Sequence, residues 1–419
     1  MVYDLIIIGA GASGLAAACK GICLNPKLNI LVLEKESLPG RKLSAAGNGK
    51  CNLTNSDFRN ECYHSENSDF VRNWMSQHSF QEIPDFLKEL GILLYQKDGY
   101  YYPMSNQGKQ VTNLLYEKSH QMGVTFLFET RATELRAEEA DGKPLYHIQA
   151  RKGEEHLSLH ARYLLLATGG MASPKLGGCQ DGYRFGKQLG LRQHACYPVL
   201  SPIYVSDPMA ALAKGVRLDA VVTLKTDTCS VRESGQVQFN ENSLSGIVIL
   251  NLSCYLNRHR SAGWQECLWI DTLPALSWEQ LKGLLLSQRE RVPQYSLSLV
   301  LSGILPNAFV RYIMKRLQLE PSVRMNELTE KQLNRLTSSL KKLTFTPIDQ
   351  EDYDKAQVTG GGIATEEVDV SSFECKKYRN LYITGEVLDV NGRCGGYNLT
   401  FAILSGLQAA EHIGKKIHN

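Results

Sequence analysis

The sequence has no run of about 18 consecutive apolar residues, which excludes a helix long enough to span a bilayer. It has no C-x-x-C. Its 11 cysteines are an odd number and scattered, which excludes a thioredoxin-type redox pair and a zinc ribbon and leaves ordinary reduced thiols. It has almost no excess of either charge. Lys plus Arg number 46 against 43 Asp plus Glu, a net +3, and that balance argues against a dedicated nucleic-acid or membrane-surface binder. No period of about 20 to 50 residues recurs, so a solenoid is excluded. The N-terminus lacks the basic region and small-residue cleavage site of a signal peptide, and the expected compartment is the cytoplasm. His156 and His160 have a metal-like spacing, but His-Leu-Ser-Leu-His alternates with period two and reads as a strand; no metal site is expected.

What is present is a folded chain of 419 residues, 43% hydrophobic with 35 Gly, long enough for two to three domains at about 150 residues each. Tyr3 to Ile8 is a short β-branched apolar run, as a central parallel strand requires. Gly9-Ala10-Gly11-Ala12-Ser13-Gly14 follows, then an Ala-rich helix from Leu15 to Cys23 and a second strand ending at Glu34. This is a βαβ unit with G-x-G-x-x-G in its first turn. Gly9 permits the tight turn, Gly11 lets the backbone approach a pyrophosphate, and Gly14 lets helix and strand pack closely. The helix N-terminus offers N–H groups and partial positive charge to the diphosphate. Glu34, about 20 residues further on, is placed to accept hydrogen bonds from a ribose hydroxyl, and it would repel a 2′-phosphate.

Beyond Glu34 stands the Gly-rich, basic loop Pro39-Gly40-Arg41-Lys42. Helical patterns recur around Ser68–Gly91 and Gly108–Met122, separated by the aromatic run Tyr100-Tyr101-Tyr102. Val124–Phe128 reads as a parallel strand, and Leu145–Ala150 with His156–Leu166 as a hairpin ending in Ala167-Thr168-Gly169-Gly170. From about residue 191 short alternating strands suggest an antiparallel sheet or barrel, and Trp278 to Leu343 is helical and basic. The last 70 or so residues return to the first texture. Thr384-Gly385-Glu386 sets an acid after a strand, suited to a ribityl or phosphate-proximal hydroxyl. Gly392 to Asn398 opens the terminal helix and would aim N–H groups at negative charge on a reduced flavin.

Four segments together resemble the YhiN/BaiN-type flavoproteins, a family that includes aminoacetone oxidases and belongs to the glutathione-reductase-like FAD superfamily. They are Gly9 to Gly14, Gly40 to Asn55, Ala167 to Gly170, and Gly385-Glu386-Val387-Leu388-Asp389-Val390-Asn391-Gly392-Arg393-Cys394-Gly395-Gly396-Tyr397-Asn398-Leu399. The resemblance implies an α/β fold with a split Rossmann-like, glutathione-reductase-type FAD domain, an inserted antiparallel β-barrel and a small helical domain. The corresponding segments are 1–190 and 346–419 for FAD, 191–274 for the barrel and 275–345 for the helices. It implies non-covalent FAD held by Gly9, Gly11, Ala12, Ser13, Gly14, Glu34, Lys35, Gly40, Arg41, Lys42, Asn48, Cys51, Asn52, Thr54, Ala167, Thr168, Gly169, Gly385, Glu386, Asp389, Gly395, Gly396, Tyr397 and Asn398. Two departures from the family pattern stand at Gly47-Asn48-Gly49-Lys50 and Gly177-Gly178-Cys179-Gln180; the second removes two hydroxyls on the substrate side.

Three activities follow from these readings. The first is a reductase that takes hydride from NAD(P)H and gives it to a C=C beside a carbonyl, in a small apolar substrate of the 3-oxo bile-acid or steroid kind. Tyr397 and Arg393 are its candidate proton donors, with Cys394 a third. The second is an oxidase of an amine or aminoketone that uses O₂. The third is a flavoprotein acting on RNA, supported by the basic segment around Arg311 to Arg335; the balanced charge gives no expectation of a nucleic-acid partner. No second G-x-G-x-x-G occurs, so NAD(P)H would have to enter the substrate cleft transiently.

Overall fold

The computed structural model describes residues 2–140, 142–226, 229–258, 267–348 and 351–418. Strand β1 (Val2–Ile8) buries four successive side chains, Leu5 to Ile8. Successive side chains point to opposite faces, so both faces of the strand are covered, as its unbroken apolar run requires. Helix α1 (Ala12–Leu24) follows, and β2 (Ile30–Leu33) lies parallel to β1 with Leu5 opposite Ile30. Short elements come next: α2 (Arg41–Ala45), β3 (Thr54–Asn55) and β4 (Tyr63–His64). The helical pattern of residues 68–91 resolves into two helices, α3 (Ser68–Met75) and α4 (Glu82–Glu89). The tyrosine run lies in β6 (Tyr100–Pro103), between β3 and β5 (Leu94–Lys97), and α5 (Gly108–Gln121) follows.

Strand β7 (Thr125–Leu127) extends the parallel sheet beside β2. An antiparallel meander of β8 (Thr130–Ala140), β9 (Lys143–Lys152) and β10 (Glu155–Leu166) then joins it. Strand β10 serves both parts: Glu155 to Ala161 pairs with β9, and His160 to Leu166 runs parallel to β1. Helix α6 (Asp181–Gln188) and β11 (Gln193–Val199) complete this stretch.

By packing, the chain divides into Met1–Pro198 with Tyr353–Asn419, and Val199–Asp352. The sequence reading sets these limits at 190/191 and 345/346. In the second unit β12 (Ile203–Tyr204), β13 (Arg217–Lys225), β14 (Ser230–Phe239), β15 (Ser243–Ser245), α7 (Ile247–Arg258) and β16 (Cys267–Asp271) precede four helices. These are α8 (Trp278–Arg291), α9 (Leu297–Ser302), α10 (Asn307–Arg316) and α11 (Glu330–Lys341), and β17 (Leu343–Phe345) follows them. The strand order is β12-β15-β14-β13-β16-β17. The two ends meet: Ser206 N donates to Thr346 O at 3.1 Å and Ile348 N to Tyr204 O at 2.9 Å, which closes the sheet into a barrel. Strands and helices draw on one core, where Phe239 and Leu268 cluster with Leu281, Phe309 and Leu333.

The chain then returns to the first unit. Strand β18 (Val358–Ile363) pairs with β11, and β19 (Leu381–Ile383) lies parallel on the edge of β10 opposite β1. Strand β20 (Asn391–Gly392) pairs with β4, and α12 (Tyr397–His418) packs along α1. The helices approach so closely that a Cβ on Gly406 would stand 2.4 Å from Ser13 O. Among the described residues no helix is long and apolar enough to cross a membrane.

One ion pair ties the meander to α6. Arg131 Nε and Nη2 donate to the two oxygens of Asp181 at 2.9 and 2.8 Å. Burial pushes the Asp181 carboxyl up, but the Arg131 fork outweighs it and holds the group below its usual range. A depressed folded value means stability that is complete above the unfolded value of about 3.9 and lost as the pH falls through the folded one. Asp181→Asn should therefore cost about 1 kcal/mol at pH 7, a figure discounted for the half-exposed guanidinium. Thermal unfolding at pH 7 and at pH 3 checks this: the gap between parent and variant should narrow in acid.

Candidate functional site

The turn after β1 shows three glycines in three different roles. Gly9 has φ +107°, and a Cβ on it would stand 2.4 Å from Ala167 O; one on Gly14 would stand 1.9 Å from Gly9 O. Both positions exclude any side chain. A Cβ on Gly11 meets nothing within 4 Å, so the ground above it is open. Gly11 is also the cap of α1 and has no side chain to accept from the first-turn N–H groups, so the positive end of the helix faces that open ground.

Glu34 closes the turn from below. Its carboxylate accepts from Ala10 N and from Glu36 N, each at 2.9 Å, and burial pushes it up from the usual range. Each oxygen keeps a second lone pair for a further donor. Lys35 and Arg41 both turn to Glu36, Lys35 at 2.7 Å. Burial pushes Glu36 up as well, but these two cations prevail and hold it low.

The loop from Gly40 to Asn55 is shaped by left-handed backbone at Gly40, Gly47, Asn48, Gly49 and Cys51. Gly40 N donates to Ala10 O at 2.8 Å, which fastens the loop to the glycine turn. Asn48 is exposed, whereas Cys51 is fully buried and its thiol is pushed up to about 12 by that burial. Lys42 Nζ reaches across the fold to both oxygens of Glu386, at 2.9 and 2.7 Å, and Glu386 also accepts from Thr359 N at 2.9 Å.

The last motif meets the same loop. A Cβ on Gly396 would stand 2.9 Å from Thr54 N, Asn55 Nδ2 donates to Gly395 O at 3.2 Å, and Thr400 Oγ1 donates to Thr54 Oγ1 at 2.9 Å. Asn398 is engaged at both ends by the main chain of Gly392, at 2.7 and 2.8 Å, and folds the loop 392–398 on itself. Asp389 accepts from Glu66 N at 2.7 Å and from Ser65 Oγ at 3.3 Å. Ser13 Oγ donates to Thr384 Oγ1 at 2.7 Å beside Gly385, which has φ +75°. Tyr397 is 5% exposed, with Tyr63 edge-on to it. Arg393 donates its N–H to Cys62 O at 2.9 Å.

The site residues expected from sequence thus gather from both ends of the chain into the first unit. Ala167, Thr168 and Gly169 lie just beyond the end of β10, under Gly9. Sequence reasoning did not single out Glu36, Cys62, Tyr63, Ser65 or Glu66. Glu36 had a local signal, an acid between Lys35 and Arg41; the other four stand in short segments without a motif. Two buried acceptors in the set, Asn52 Oδ1 and Thr168 Oγ1, have no hydrogen-bond partner among the described residues. Open ground at a helix N-terminus, a carboxylate beside it and two unmet buried oxygens suit a ligand that carries phosphates and hydroxyls. FAD fits these residues.

The HI0933-like protein Rossmann domain matches residues 3–412. The chain belongs to the HI0933-like family. Within that family it is an FAD-dependent oxidoreductase. It is 31% identical over 410 residues to the 3-dehydro-bile acid delta(4,6)-reductase of Clostridium scindens, covering 97% of this chain and 98% of that one. It is also 28% identical over 416 residues to the ribosomal RNA dihydrouridine synthase of Escherichia coli, with 98% of each covered. Among solved structures, 3-ketosteroid delta1-dehydrogenase from Sterolibacterium denitrificans shares the fold, with a TM-score of 0.53 at 14% identity over 99% of this chain and 100% of that one.

Proposed function

We propose that the protein is a reductase that uses bound FAD to saturate a carbon–carbon double bond conjugated to a carbonyl, in a 3-oxo bile-acid or steroid-like substrate. The observation that carries this reading is chemical. Two relatives with different names imply the same kind of bond. The Δ4 bond of a 3-oxo steroid lies beside its carbonyl, and dihydrouridine is uridine with the ring double bond beside its C4 carbonyl saturated. Both likenesses run nearly full length, and the higher identity to the bile-acid reductase, 31% against 28%, favours the small substrate.

The first-turn N–H groups of α1, with Gly11 beneath, would hold the diphosphate, and Glu34 the ribose of the adenosine half. Glu386, set by Lys42 and Thr359, would take the ribityl chain, and the loop Gly395 to Asn398 would lie at the ring end. When bound, FAD supplies a hydride-transferring ring; NAD(P)H is the proposed donor that refills it. The residues' own work is to orient the two partners, exclude water and supply one proton. Tyr397 is the proposed source of that proton, and Arg393 a cation near the same loop.

Glu34→Ala removes a charged acceptor from the ribose position and should weaken FAD binding about tenfold, or about 1.4 kcal/mol. A fluorescence titration of the apoprotein checks this, and an unchanged affinity would count against the ribose role. The reaction itself is tested by anaerobic reduction of the bound flavin with NADH or NADPH, then rapid mixing. Fast reoxidation by a 3-oxo-4-ene steroid or bile acid with a sluggish O₂ reaction is expected. Fast reaction with O₂ alone would point to an oxidase. A second reading, reduction of uridine in RNA, is favoured by the dihydrouridine synthases of E. coli and Haemophilus influenzae and by exposed basic residues such as Arg311, Lys315 and Arg335 on the helices of the second unit. A uridine-containing ribosomal RNA fragment as the only competent oxidant would establish it instead.

A further inference from the structure

The tyrosine run of β6 is divided by the alternation of its strand. Tyr101 takes one face of the small sheet β3-β6-β5 and packs against Phe80 at 5.7 Å. Tyr100 and Tyr102 take the other. On that face Asn55 stands opposite Tyr100, and Tyr95 opposite Tyr102. The loop of the last motif comes to the same face. Asn55 Nδ2 donates to Gly395 O at 3.2 Å, and a Cβ on Gly395 would stand 2.9 Å from the Tyr397 ring and 3.1 Å from the Tyr100 ring. Tyr100 is thus the neighbour, across one glycine, of the proposed proton source. Away from that loop Tyr102 and Tyr95 continue the face, stacked at 5.7 Å with their planes 27° apart. All three tyrosines are half-buried, so part of each is left to a ligand. The face is also held in advance of any ligand. Tyr95 Oη donates to Asn106 Oδ1 at 2.6 Å, and the left-handed pair Asp98-Gly99 makes the two-residue turn that fixes the register of β5 on β6. Burial pushes the phenols of Tyr100 and Tyr102 up from their usual value, so both stay neutral.

We propose that Tyr100 and Tyr102 are the specificity-determining wall of the substrate site: Tyr100 lies against the ring that bears the conjugated carbonyl, and Tyr102, braced by Tyr95, against the fused rings behind it. This rests on the reading of the substrate as a 3-oxo steroid or bile acid, and of Gly395 to Asn398 as the ring end of the FAD site. A tyrosine has two side-chain torsions, so its ring offers a large, partly apolar contact at small entropic cost. The wall moves no proton and no hydride; it selects flat, apolar length. A uracil base is a single ring, which Tyr100 covers by itself. The two candidate substrates therefore make different demands on Tyr102.

The test measures binding of a 3-oxo-4-ene steroid to the oxidised holoenzyme by calorimetry, with no reductant present and so no turnover. Kd should rise about tenfold in Tyr100→Ala and about fivefold in Tyr102→Ala. It should stay within about twofold of the parent in Tyr100→Phe, which keeps the ring, and in Tyr101→Leu, on the opposite face. Thermal unfolding and flavin absorbance of each variant check that the holoenzyme is intact. Parent affinity in both Tyr100→Ala and Tyr102→Ala would overturn the wall, and reduction of the enone by the parent would leave the substrate reading standing. Weakened binding in both variants, with no reduction of the enone by the parent, would keep the wall and sink the reductase reading. A parent that binds no enone but binds a uridine-containing RNA fragment, weakened by Tyr100→Ala and untouched by Tyr102→Ala, would overturn the fused-ring wall together with the steroid reading.

Discussion

A Gly11→Asp variant should fold as well as the parent and leave the column colourless. The two halves of that result have separate causes. Gly11 caps α1 with φ −78° and ψ −169°, a conformation open to any residue, and a Cβ there touches nothing within 4 Å. Aspartate is moreover a favoured helix cap, worth up to about 1 kcal/mol over a residue that cannot cap. The same carboxylate occupies the ground proposed for the diphosphate and sets charge against charge. FAD affinity should drop at least a hundredfold, about 2.7 kcal/mol. Gly14→Ala is the contrast: its Cβ would stand 1.9 Å from Gly9 O, so that variant should lose the fold of the turn itself. Thermal unfolding and flavin absorbance on the two proteins separate these cases, and a yellow Gly11→Asp would refute the phosphate assignment.

Removing Asn380–Asn419 should abolish both flavin binding and the folding of the first unit while sparing the second. The deletion takes away β19, whose three side chains are fully buried, and the whole of α12, including the close approach of Gly406 to Ser13. It also removes Glu386, Asp389 and the loop that meets Thr54. The core of the second unit lies entirely within Ile203 to Phe345 and loses nothing. The truncated chain should show one cooperative unfolding transition, that of the barrel and its helices, and no FAD absorbance. Tight FAD binding by this protein would mean that the last segment is dispensable to the cofactor site.

The βαβ unit was legible because its information is local: an unbroken apolar strand, three spaced glycines and an acid at the end of the next strand. The return of the C-terminus was legible for the same reason, since residues 380–398 repeat that grammar. Strand β8 was not. Thr-Arg-Ala-Thr-Glu-Leu-Arg-Ala-Glu-Glu-Ala favours helix by composition, and only its pairing with β9 makes it a strand. The pairing of Lys42 with Glu386 joins residues 344 positions apart, and no local pattern announces it. Cys51 reads from sequence as a flavin-lining residue, yet its left-handed backbone turns it into the interior. An inserted barrel was expected from the resemblance, but not that residues 346–348 would close it, because that depends on main-chain bonds between Tyr204–Ser206 and Thr346–Ile348 that side-chain identity does not encode.

The placement of β19 and α12 also sets an order of events at the ribosome. Domains emerge and fold as units during synthesis at about 5 to 20 residues per second. The unit spanning Val199–Asp352 has all its strands once residue 348 has emerged, so it can close while the tail is still being made. The unit that begins the chain must wait, with the edge of β10 that β19 will occupy unpaired and the face of α1 bare, until the final helix arrives. The unit whose first strand is translated earlier is thus the later of the two to be completed.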